Sequence, residues 1–378
     1  ARVCAEISRT GFLLDRQYTM ELIERLHQEE TWWMLKIEDY TDDDEFQLGS
    51  TDEIARVLLD DGWDEFEFTP TGKLKVDDAL LKRAAEAGHE FAEWVRQAKK
   101  CVKWRKTWPE RFLALADQDD RVHPNIGTLN ARTGRMSIAG FPAQTLPSDG
   151  ALIRDCFVAD PGHVIASVDF KSVEMRVIAA LANATRMIEG IRAGHDPHDF
   201  TASLVFGPNY TQKQRKIMKG VGFGKVYGGG PSTLAKQTGI TLEQAKHACD
   251  AYDETYPQIT EYTKQLIRLV ARRGWVETPT GRRLYVDKDR KYSATNYMVQ
   301  STARDLFGRA LLAVDQAGLT EYLRLPIHDE LLWSLPSKEA PDLVEEIKRL
   351  MSTEFRGVPI AADGKVGGWR WGSLYQDE

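Results

Sequence analysis

The stretch RKIMKGVGFGKVYGGG, residues 215–230, holds three lysines, one arginine and six glycines within sixteen positions. Steps of four residues from Arg215 lead to Lys219, Phe223 and Tyr227, and each such step advances about 40° around an α-helix. These side chains therefore share one face of a predicted helix, which presents two cations and two aromatic rings. A nucleoside triphosphate, which carries both phosphates and a ring, fits such a face.

The glycines of this segment do not form a known phosphate-binding loop. Neither Gly-x-x-x-x-Gly-Lys-Ser/Thr nor Gly-x-Gly-x-x-Gly occurs here. Gly222 and Gly224 flank Phe223, and we expect their missing side chains to let a flat ligand approach the helix closely. The glycines at 228–230 are expected to end the helix.

Two aspartates lie at predicted strand ends on either side of this helix in the sequence. A β-branched run at 162–170 leads to Asp169, and residues 322–335 predict a hairpin that carries Asp329 at its tip. Carboxylate oxygens suit Mg²⁺, and two divalent ions about 3.5–4 Å apart can stabilise both the attacking and the leaving oxygen of phosphoryl transfer. Either aspartate alone is more simply a turn or capping residue, so the metal hypothesis depends on both aspartates together with the helix.

Length and composition are those of a globular protein. The chain has 378 residues, of which 42% are hydrophobic and 28% are charged, enough for two or three subdomains. Neither a run of eighteen apolar residues nor an apolar signal segment occurs, so we expect a cytoplasmic protein without a membrane span. The four scattered cysteines predict reduced, structural thiols.

The net charge of −7 conceals a strong segregation of charge. Residues 38–67 contain thirteen acids and one base, 96–111 contain seven bases and one acid, and 213–225 contain five bases and no acid. A polyanion could be held locally while the remaining surface repels it. Solvated helix faces explain such runs more simply, so charge alone does not decide the function.

The spacing of apolar residues predicts the distribution of helices. Residues 15–40 and 77–118 show helical periodicity, with a polar, glycine-containing stretch at 41–75 between them. A further helical block runs from about residue 184 to 273, between the two strand regions that carry the aspartates. An α+β architecture follows, in which a small sheet is flanked by helical insertions.

Three of these segments resemble, in this order, the motifs of the family A (DNA polymerase I-like) DNA polymerases. VDFKSVEMRVIAAL (168–181) resembles motif A, RKIMKGVGFGKVYG (215–228) resembles motif B, and IHDELL (327–332) resembles motif C. The resemblance implies a right-hand polymerase fold with an antiparallel palm sheet, helical fingers and a helical thumb. It implies a thumb at 1–127 with a leading palm-associated segment, palm at 128–190, fingers at 191–290 and a second palm part at 291–378.

The implied activity is template-directed addition of deoxynucleotides to a primer 3′ end, with pyrophosphate release, in DNA replication or repair. The implied partners are primer–template DNA and dNTPs, with the chain acting as a monomer and any processivity or replisome partner left open. Two Mg²⁺ ions, for which Mn²⁺ could substitute, would be bound by Asp169, Asp329 and the backbone carbonyl of Phe170. Glu330 would lie beside this metal site without binding metal.

The resemblance also assigns residues to the substrates. The implied nucleotide-binding residues are Arg215, Lys219, Phe223, Tyr227, Glu174 and His198. The implied DNA-binding residues are Arg135, Gln144, Asn296, Gln300 and His328. Lys219 is expected to neutralise or protonate the leaving pyrophosphate, and Phe223 to stack on the incoming base and sugar. Glu174 is expected to pack near Tyr227 as a steric gate that excludes a ribose 2′-hydroxyl.

Some positions depart from the family's pattern. Ser172 replaces a common Gln, Tyr292 replaces a common Arg, and PAQT (142–145) keeps only Gln144 of an Asn-Leu-Gln-Asn stretch, with Thr145 in place of its last Asn. Position 223 is Phe rather than Tyr, which in this family accompanies rejection of dideoxynucleotides.

Proofreading is not expected from this chain. Nothing in residues 1–130 offers the strand-borne Asp-x-Glu site of a 3′–5′ exonuclease, because DDDE (42–45) lies in a polar, breaker-rich stretch typical of a solvated loop. A single-subunit RNA polymerase, a catalytically inactive nucleic-acid binding module and an unrelated α+β protein with coincidental motifs are the alternatives. Ribonucleotide incorporation separates the first from a DNA polymerase, and the joint presence of Asp169, Asp329, Arg215 and Lys219 disfavours the second.

Overall fold

The computed structural model describes residues 1–147 and 150–375. Its helices are α1 (Arg2–Thr10), α2 (Arg16–Thr41), α3 (Thr51–Asp60), α4 (Asp78–Glu86), α5 (Glu90–Thr107), α6 (Pro109–Leu115), α7 (Ala151–Arg154), α8 (Val173–Ala182), α9 (Thr185–Arg192), α10 (Pro197–Phe206), α11 (Gln212–Tyr227), α12 (Pro231–Thr238), α13 (Leu242–Thr255), α14 (Pro257–Arg273), α15 (Ala294–Gln316) and α16 (Ala340–Met351). Its strands are β1 (Phe12–Leu13), β2 (Glu67–Phe68), β3 (Leu74–Lys75), β4 (Arg121–Val122), β5 (Asn125–Gly127), β6 (Ser137–Ala139), β7 (His163–Phe170), β8 (Trp275–Glu277), β9 (Arg283–Tyr285), β10 (Leu323–Ile327), β11 (Glu330–Pro336), β12 (Thr353–Phe355), β13 (Val358–Ile360) and β14 (Ala362–Val366). Short 3₁₀ helices lie at Ala143–Thr145, Lys288–Ser293, Thr320–Tyr322 and Trp371–Tyr375.

The chain divides into two compact units. The helical unit comprises Leu13–Val122 and Thr145–Val158, and the sheet unit comprises Ala1–Phe12, His123–Gln144 and Ala159–Glu378. The segments that carry the candidate site residues, with the polymerase-like motifs among them, lie in the sheet unit.

The helical unit confirms the helices predicted from periodicity. Asp15 begins α2 by accepting a hydrogen bond from the backbone N–H of Tyr18, and α2 and α5 pack around a core that includes Ile37, Phe91 and Val95. Residues 42–45 form an irregular segment, as predicted. The polar stretch that follows was incompletely predicted: it contains α3, which Ser50 caps, and the β2–β3 hairpin.

The centre of the sheet unit is a four-stranded antiparallel sheet in the order β10-β11-β7-β14. The predicted hairpin is confirmed as β10, a turn at His328 and Asp329, and β11. Side chains such as Val168, Leu331 and Trp333 are fully buried and fix the register of the strands. The α+β prediction is therefore confirmed, with Asp169 at the end of a central strand.

Six helices, α9 to α14, occupy the sequence between β7 and β10 where the helical block was predicted. Thr211 and Gln214 form a capping box at the start of α11. At its end, Gly228 adopts a left-handed conformation (φ 77°) and its N–H donates to the Gly224 carbonyl. The predicted end of the helix at these glycines is confirmed.

The role predicted for Gly222 is wrong. Gly222 is buried, and a Cβ added there would lie 3.1 Å from Cε of Met175 on α8. At Gly224 an added Cβ would lie 3.4 Å from the Gly229 carbonyl oxygen, an ordinary van der Waals distance, so the role predicted for this glycine stays a prediction. Gly222 therefore permits close packing of α11 against Met175 rather than the approach of a ligand.

Two further expectations concern the whole chain. Cys4, Cys101, Cys156 and Cys249 are buried free thiols, as predicted. Over the two described ranges, no helix combines the length and the apolar character needed to cross a membrane.

Candidate active site

The two predicted metal-binding aspartates lie on adjoining backbone segments of the sheet. The N–H of Phe170, which follows Asp169, donates to the carbonyl of Asp329 over 3.3 Å. His328 turns the hairpin with a positive φ of 58°, which lets the chain reverse at Asp329. Glu330 pairs in register with Asp169, and its carboxylate accepts a hydrogen bond from Ser167.

The carboxylates around Asp169 repel one another. Burial, followed by repulsion from Asp329, Glu330 and Asp363, raises the pKa of Asp169 to about 7. Burial also raises the pKa of Asp329. Solvent still reaches the Asp169 side chain, so part of the repulsion is screened.

The residues present fit a hard divalent cation. A cation placed between Asp169 and Asp329 would relieve the repulsion that raises the pKa of Asp169. No set of three or more His, Cys, Asp or Glu side chains within the described ranges converges as a complete metal centre. Mg²⁺ needs no such set, because it commonly takes one or two protein carboxylates and completes its coordination with phosphates and water.

Sequence reasoning did not anticipate Asp363, which β14 brings into register with Asp169. The Asp363 carboxylate is already paired with Lys171, at 3.0 Å between Nζ and Oδ2. Its strand is short and mostly polar, so no apolar pattern in the sequence reveals it.

Glu174 connects the strand of Asp169 to helix α11. The residue lies in the first turn of α8 and is only 7% exposed. Tyr227 donates its hydroxyl to the two carboxylate oxygens at 3.0 and 2.9 Å, and Arg135 donates to Oε1. Gln300 of α15 donates in turn to the Tyr227 hydroxyl over 3.1 Å. Four predicted site residues from separate segments thus meet in one hydrogen-bonded chain.

Burial raises the pKa of Glu174, whereas the charge of Arg135 and the hydrogen bond from Tyr227 favour its ionised form. A buried carboxylate with these partners is held in one position, because losing any partner leaves charge uncompensated. The Glu174 side chain is therefore a rigid wall beside the α11 face.

Arg215, near the start of α11, is held by two acidic residues. Its Nε donates to Asp199 over 2.7 Å and its Nη2 donates to Asp196 over 3.2 Å. Asp196 also begins α10 by accepting from the backbone N–H of His198. The Asp-Pro pair at 196–197 is a helix-start signal, so the sequence could have identified Asp196.

The predicted ring-bearing face of α11 exists. The rings of Phe223 and His198 have centroids 5.5 Å apart, and those of Phe223 and Tyr227 lie 6.3 Å apart. His198 is 5% exposed, and burial together with the positive charge of Lys219 and Arg215 lowers its pKa to about 4 against the opposing effect of Asp196. His198 is therefore neutral at physiological pH, while Lys219 itself is solvent-exposed.

The predicted DNA-contacting residues occupy different settings. Asn296 and Gln300 lie one turn apart on α15, and the buried Oδ1 of Asn296 has no hydrogen-bond partner in the described part of the chain. His328 is exposed at the hairpin tip. The amide of Gln144 is used within the protein: it accepts from the N–H of Ile138 and donates to the Met136 carbonyl, at 3.0 and 3.2 Å.

Two departures from the family's pattern have local partners. Ser172 adopts a left-handed conformation (φ 48°) and donates its hydroxyl to Asp196 over 3.2 Å. Tyr292 packs beside Gly228, where an added Cβ would lie 2.6 Å from the tyrosine ring. Each replacement therefore supports α10 or α11 from within the sheet unit.

Comparison with known proteins identifies the lineage of this site. The model of DNA polymerase family A matches residues 16–373. The chain belongs to DNA polymerase family A. Members of this family depend on divalent metal ions, which agrees with the carboxylates at the strand ends.

Similar proteins come from phages and bacteria. The DNA polymerase of Mycobacterium phage D29 is 44% identical over 381 residues, covering 99% of this chain and 62% of the phage protein. DNA polymerase I of Pseudomonas aeruginosa is 31% identical over 346 residues, covering 85% of this chain and 38% of that protein. The chain thus spans less than two thirds of the length of these relatives.

A solved structure shares the fold of this family A chain. It is the POL domain of Pol1 from M. smegmatis in complex with DNA primer–template and dNTP. The match has a TM-score of 0.88 at 25% identity and covers 99% of this chain and 69% of that one. The right-hand polymerase fold expected from the sequence is confirmed.

Proposed function

We propose that this chain is a DNA-directed DNA polymerase that adds deoxynucleotides to a primer 3′ end as a template dictates and releases pyrophosphate. One observation carries the proposal most strongly. Glu174, five residues after Asp169, is hydrogen-bonded to Tyr227 on the cationic, ring-bearing face of α11. This bond joins the carboxylates suited to metal ions to the face suited to a nucleoside triphosphate.

Asp169, Asp329 and the backbone carbonyl of Phe170 are the groups that would hold two Mg²⁺ ions, with Mn²⁺ as a substitute. Bound there, the ions would stabilise negative charge on the attacking and leaving oxygens. The chain positions the carboxylates by strand pairing, so their spacing does not depend on a flexible loop. Glu330 supports the site through its bond with Ser167 and is not assigned as a ligand.

Arg215, Lys219 and His198 would hold the triphosphate. Arg215 is oriented by Asp196 and Asp199, and neutral His198 can offer an N–H to a phosphate oxygen. Exposed Lys219 can neutralise or protonate the departing pyrophosphate. Catalysis of this kind needs positioning and electrostatic stabilisation rather than a covalent intermediate.

The sugar and base would be selected by the side chains next to this triphosphate site. Phe223 offers a ring for stacking, and the wall formed by Glu174 and Tyr227 would exclude a ribose 2′-hydroxyl. This wall favours DNA synthesis over RNA synthesis. Phenylalanine at 223 further favours rejection of dideoxynucleotides.

Arg135, Asn296, Gln300 and His328 would contact the primer–template. Acceptors in the minor groove are shared by all base pairs, so an Arg and an Asn or Gln can grip DNA without reading its sequence. For Gln144, the two backbone hydrogen bonds favour an indirect role, through residues 136–138.

The subdomain assignment extends the same proposal. We assign residues 1–127 to the thumb with its leading palm-associated segment, 128–190 and 291–378 to the palm, and 191–290 to the fingers. The solved relative binds DNA primer–template and dNTP, and the sequence relatives are DNA polymerases of phages and bacteria. These relatives support action in DNA replication or repair. We further propose that the chain acts as a monomer, at the nucleoid in the cytoplasm of a bacterial or phage-infected host cell.

Extension of a labelled primer on four templates that differ in the first unpaired base tests this function. Each template should direct addition of its complementary dNTP in the presence of Mg²⁺. Addition that ignores the template, preference for ribonucleotides, or absence of addition would contradict the proposal.

A further inference from the structure

We propose that Arg304 is a positioning residue for sugar selection, acting through the loop that carries Arg135. The inference rests on the proposed polymerase function and deepens it. None of the sequence motifs assigns a role to position 304. Arg304 follows Asn296 and Gln300 at intervals of four residues on α15, so the three side chains form one ridge.

The Arg304 guanidinium holds two carbonyls of the loop that precedes Arg135. Its Nε donates to the carbonyl of Gly134 over 2.7 Å, and its Nη2 donates to the carbonyl of Thr128 over 3.3 Å. Between them the loop reverses through a turn closed by the Gly134 N–H and the Ala131 carbonyl, at 2.8 Å. A planar guanidinium presents its donors in a rigid fork that can span two separated acceptors, whereas the three donors of an ammonium group surround one compact point charge.

A second arginine lies beside the same turn. Arg282 donates to Asp305 over 2.6 Å, and a Cβ added at Gly134 would lie 3.2 Å from its Nη1. Gly134 has a φ of +73°, a conformation that favours glycine. The Arg282 guanidinium therefore occupies the space into which a side chain at position 134 would project, while Arg304 holds the Gly134 carbonyl.

Helix α15 also leaves space for Arg304. Gly308 lies one turn further along the helix, although glycine within a helix is less favourable than alanine. A Cβ added at Gly308 would lie 3.1 Å from Nη1 of Arg304. The glycine thus accommodates the guanidinium in the position from which it reaches the loop.

The loop directly positions the proposed sugar-selecting wall, which is formed by Glu174 and Tyr227. Arg135 is the residue after Gly134, and it donates to Oε1 of Glu174. Glu174 accepts from Tyr227, and Tyr227 accepts from Gln300, which returns the chain of contacts to α15. Arg304 and Gln300 therefore hold the Arg135–Glu174–Tyr227 group from opposite ends of one circuit.

The test compares single-nucleotide extension by wild type, Arg304→Leu, Arg135→Ala and the double variant, with kcat/KM for a dNTP and the matching rNTP. Arg304→Leu should lower the dNTP-to-rNTP ratio by about 3- to 10-fold, the range associated with losing one or two hydrogen bonds. In a protein that already carries Arg135→Ala, Arg304→Leu should change the dNTP-to-rNTP ratio hardly further, because Arg304 acts on Glu174 only through Arg135. Arg309→Leu, which removes an exposed positive charge from the same helix, should keep the wild-type ratio.

Unfolding temperatures of all variants separate selection from folding. If Arg304→Leu is too unstable to assay, Arg304→Lys keeps the charge without the two-carbonyl bridge, and should show a smaller loss of the ratio. Multiplicative effects of Arg304→Leu and Arg135→Ala, or a wild-type ratio in Arg304→Lys, would overturn the inference. Failure of wild type to extend a primer would instead contradict the proposed function.

Discussion

The hydroxyl of Tyr227 offers the sharpest single-atom test of the sugar-selecting wall. Tyr227→Phe removes the donor to both oxygens of Glu174 and the acceptor for Gln300, and keeps the ring beside Phe223. A hydrogen bond to a charged group contributes about 1.5–3 kcal/mol. Tyr227 is 39% exposed, so water replaces part of the interaction and a loss of about 1 kcal/mol is expected.

A change of about 1 kcal/mol corresponds to a factor of about five in relative specificity. We therefore expect the dNTP-to-rNTP ratio of kcat/KM to fall about 3- to 10-fold. Single-nucleotide extension on one primer–template measures both values. Tyr285→Phe, at a tyrosine that is 68% exposed, is the matched control and should leave the ratio unchanged. An unchanged ratio in a well-folded Tyr227→Phe protein would refute the idea that this bond positions the wall.

Three other perturbations test the charges of the site. The folded-state pKa of Asp169 is about 7, above its unfolded value of about 3.9, so this group destabilises the metal-free protein increasingly as pH rises from 4 to 7. Asp169→Asn should therefore raise the melting temperature at pH 8 without Mg²⁺ and have little effect at pH 4. Equal changes of the melting temperature at the two pH values would count against charge repulsion. For His198 the folded-state pKa of about 4 lies below the unfolded value of about 6.5, so the protein loses stability as the pH falls from 6.5 to 4. The free energy of unfolding in urea, measured at pH 4.5 and 7, should therefore depend less on pH in His198→Gln than in wild type. An unchanged pH dependence would show that the imidazole is not held neutral. Lys219→Ala should raise the KM for dNTP at least about tenfold, as expected for the loss of a charge-assisted phosphate contact. The control Lys216→Ala removes another exposed lysine of the same helical turn and should leave the KM within about twofold. Equal increases of the KM in the two variants would mean that net charge alone binds the triphosphate.

Local patterns made much of this molecule predictable. The hairpin around Asp329 and the four-residue ridge of α11 follow from short-range periodicity, which the sequence displays directly. The start of α10 at Asp196 was also legible, because an Asp-Pro pair is a local signal. Such features require only neighbours along the chain.

Features that depend on distant pairing were not predictable in the same way. Asp363 reaches Asp169 only because β14 joins the edge of the sheet, and space at Gly222 is tight only because Met175 packs against it. In the sequence, nothing distinguishes Arg304 from other helical arginines. Its contacts with the carbonyls of Thr128 and Gly134 are visible only in the folded structure. In each case the partner lies more than forty residues away along the chain. A single sequence does not show which residues at such separations pair with each other.

The central claim is that Asp169 and Asp329 together form the centre of nucleotidyl transfer. Single-turnover incorporation of one dNTP, followed as a function of Mg²⁺ concentration, tests it with Asp169→Asn, Asp329→Asn and the neighbouring Asp363→Asn. The account predicts that each of the first two changes lowers the rate at saturating Mg²⁺ by at least about a thousandfold, as expected when metal-based charge stabilisation is lost. Asp363→Asn should retain the rate within about tenfold, because Asp363 is paired with Lys171. Near-normal incorporation by either Asp169→Asn or Asp329→Asn would contradict the account.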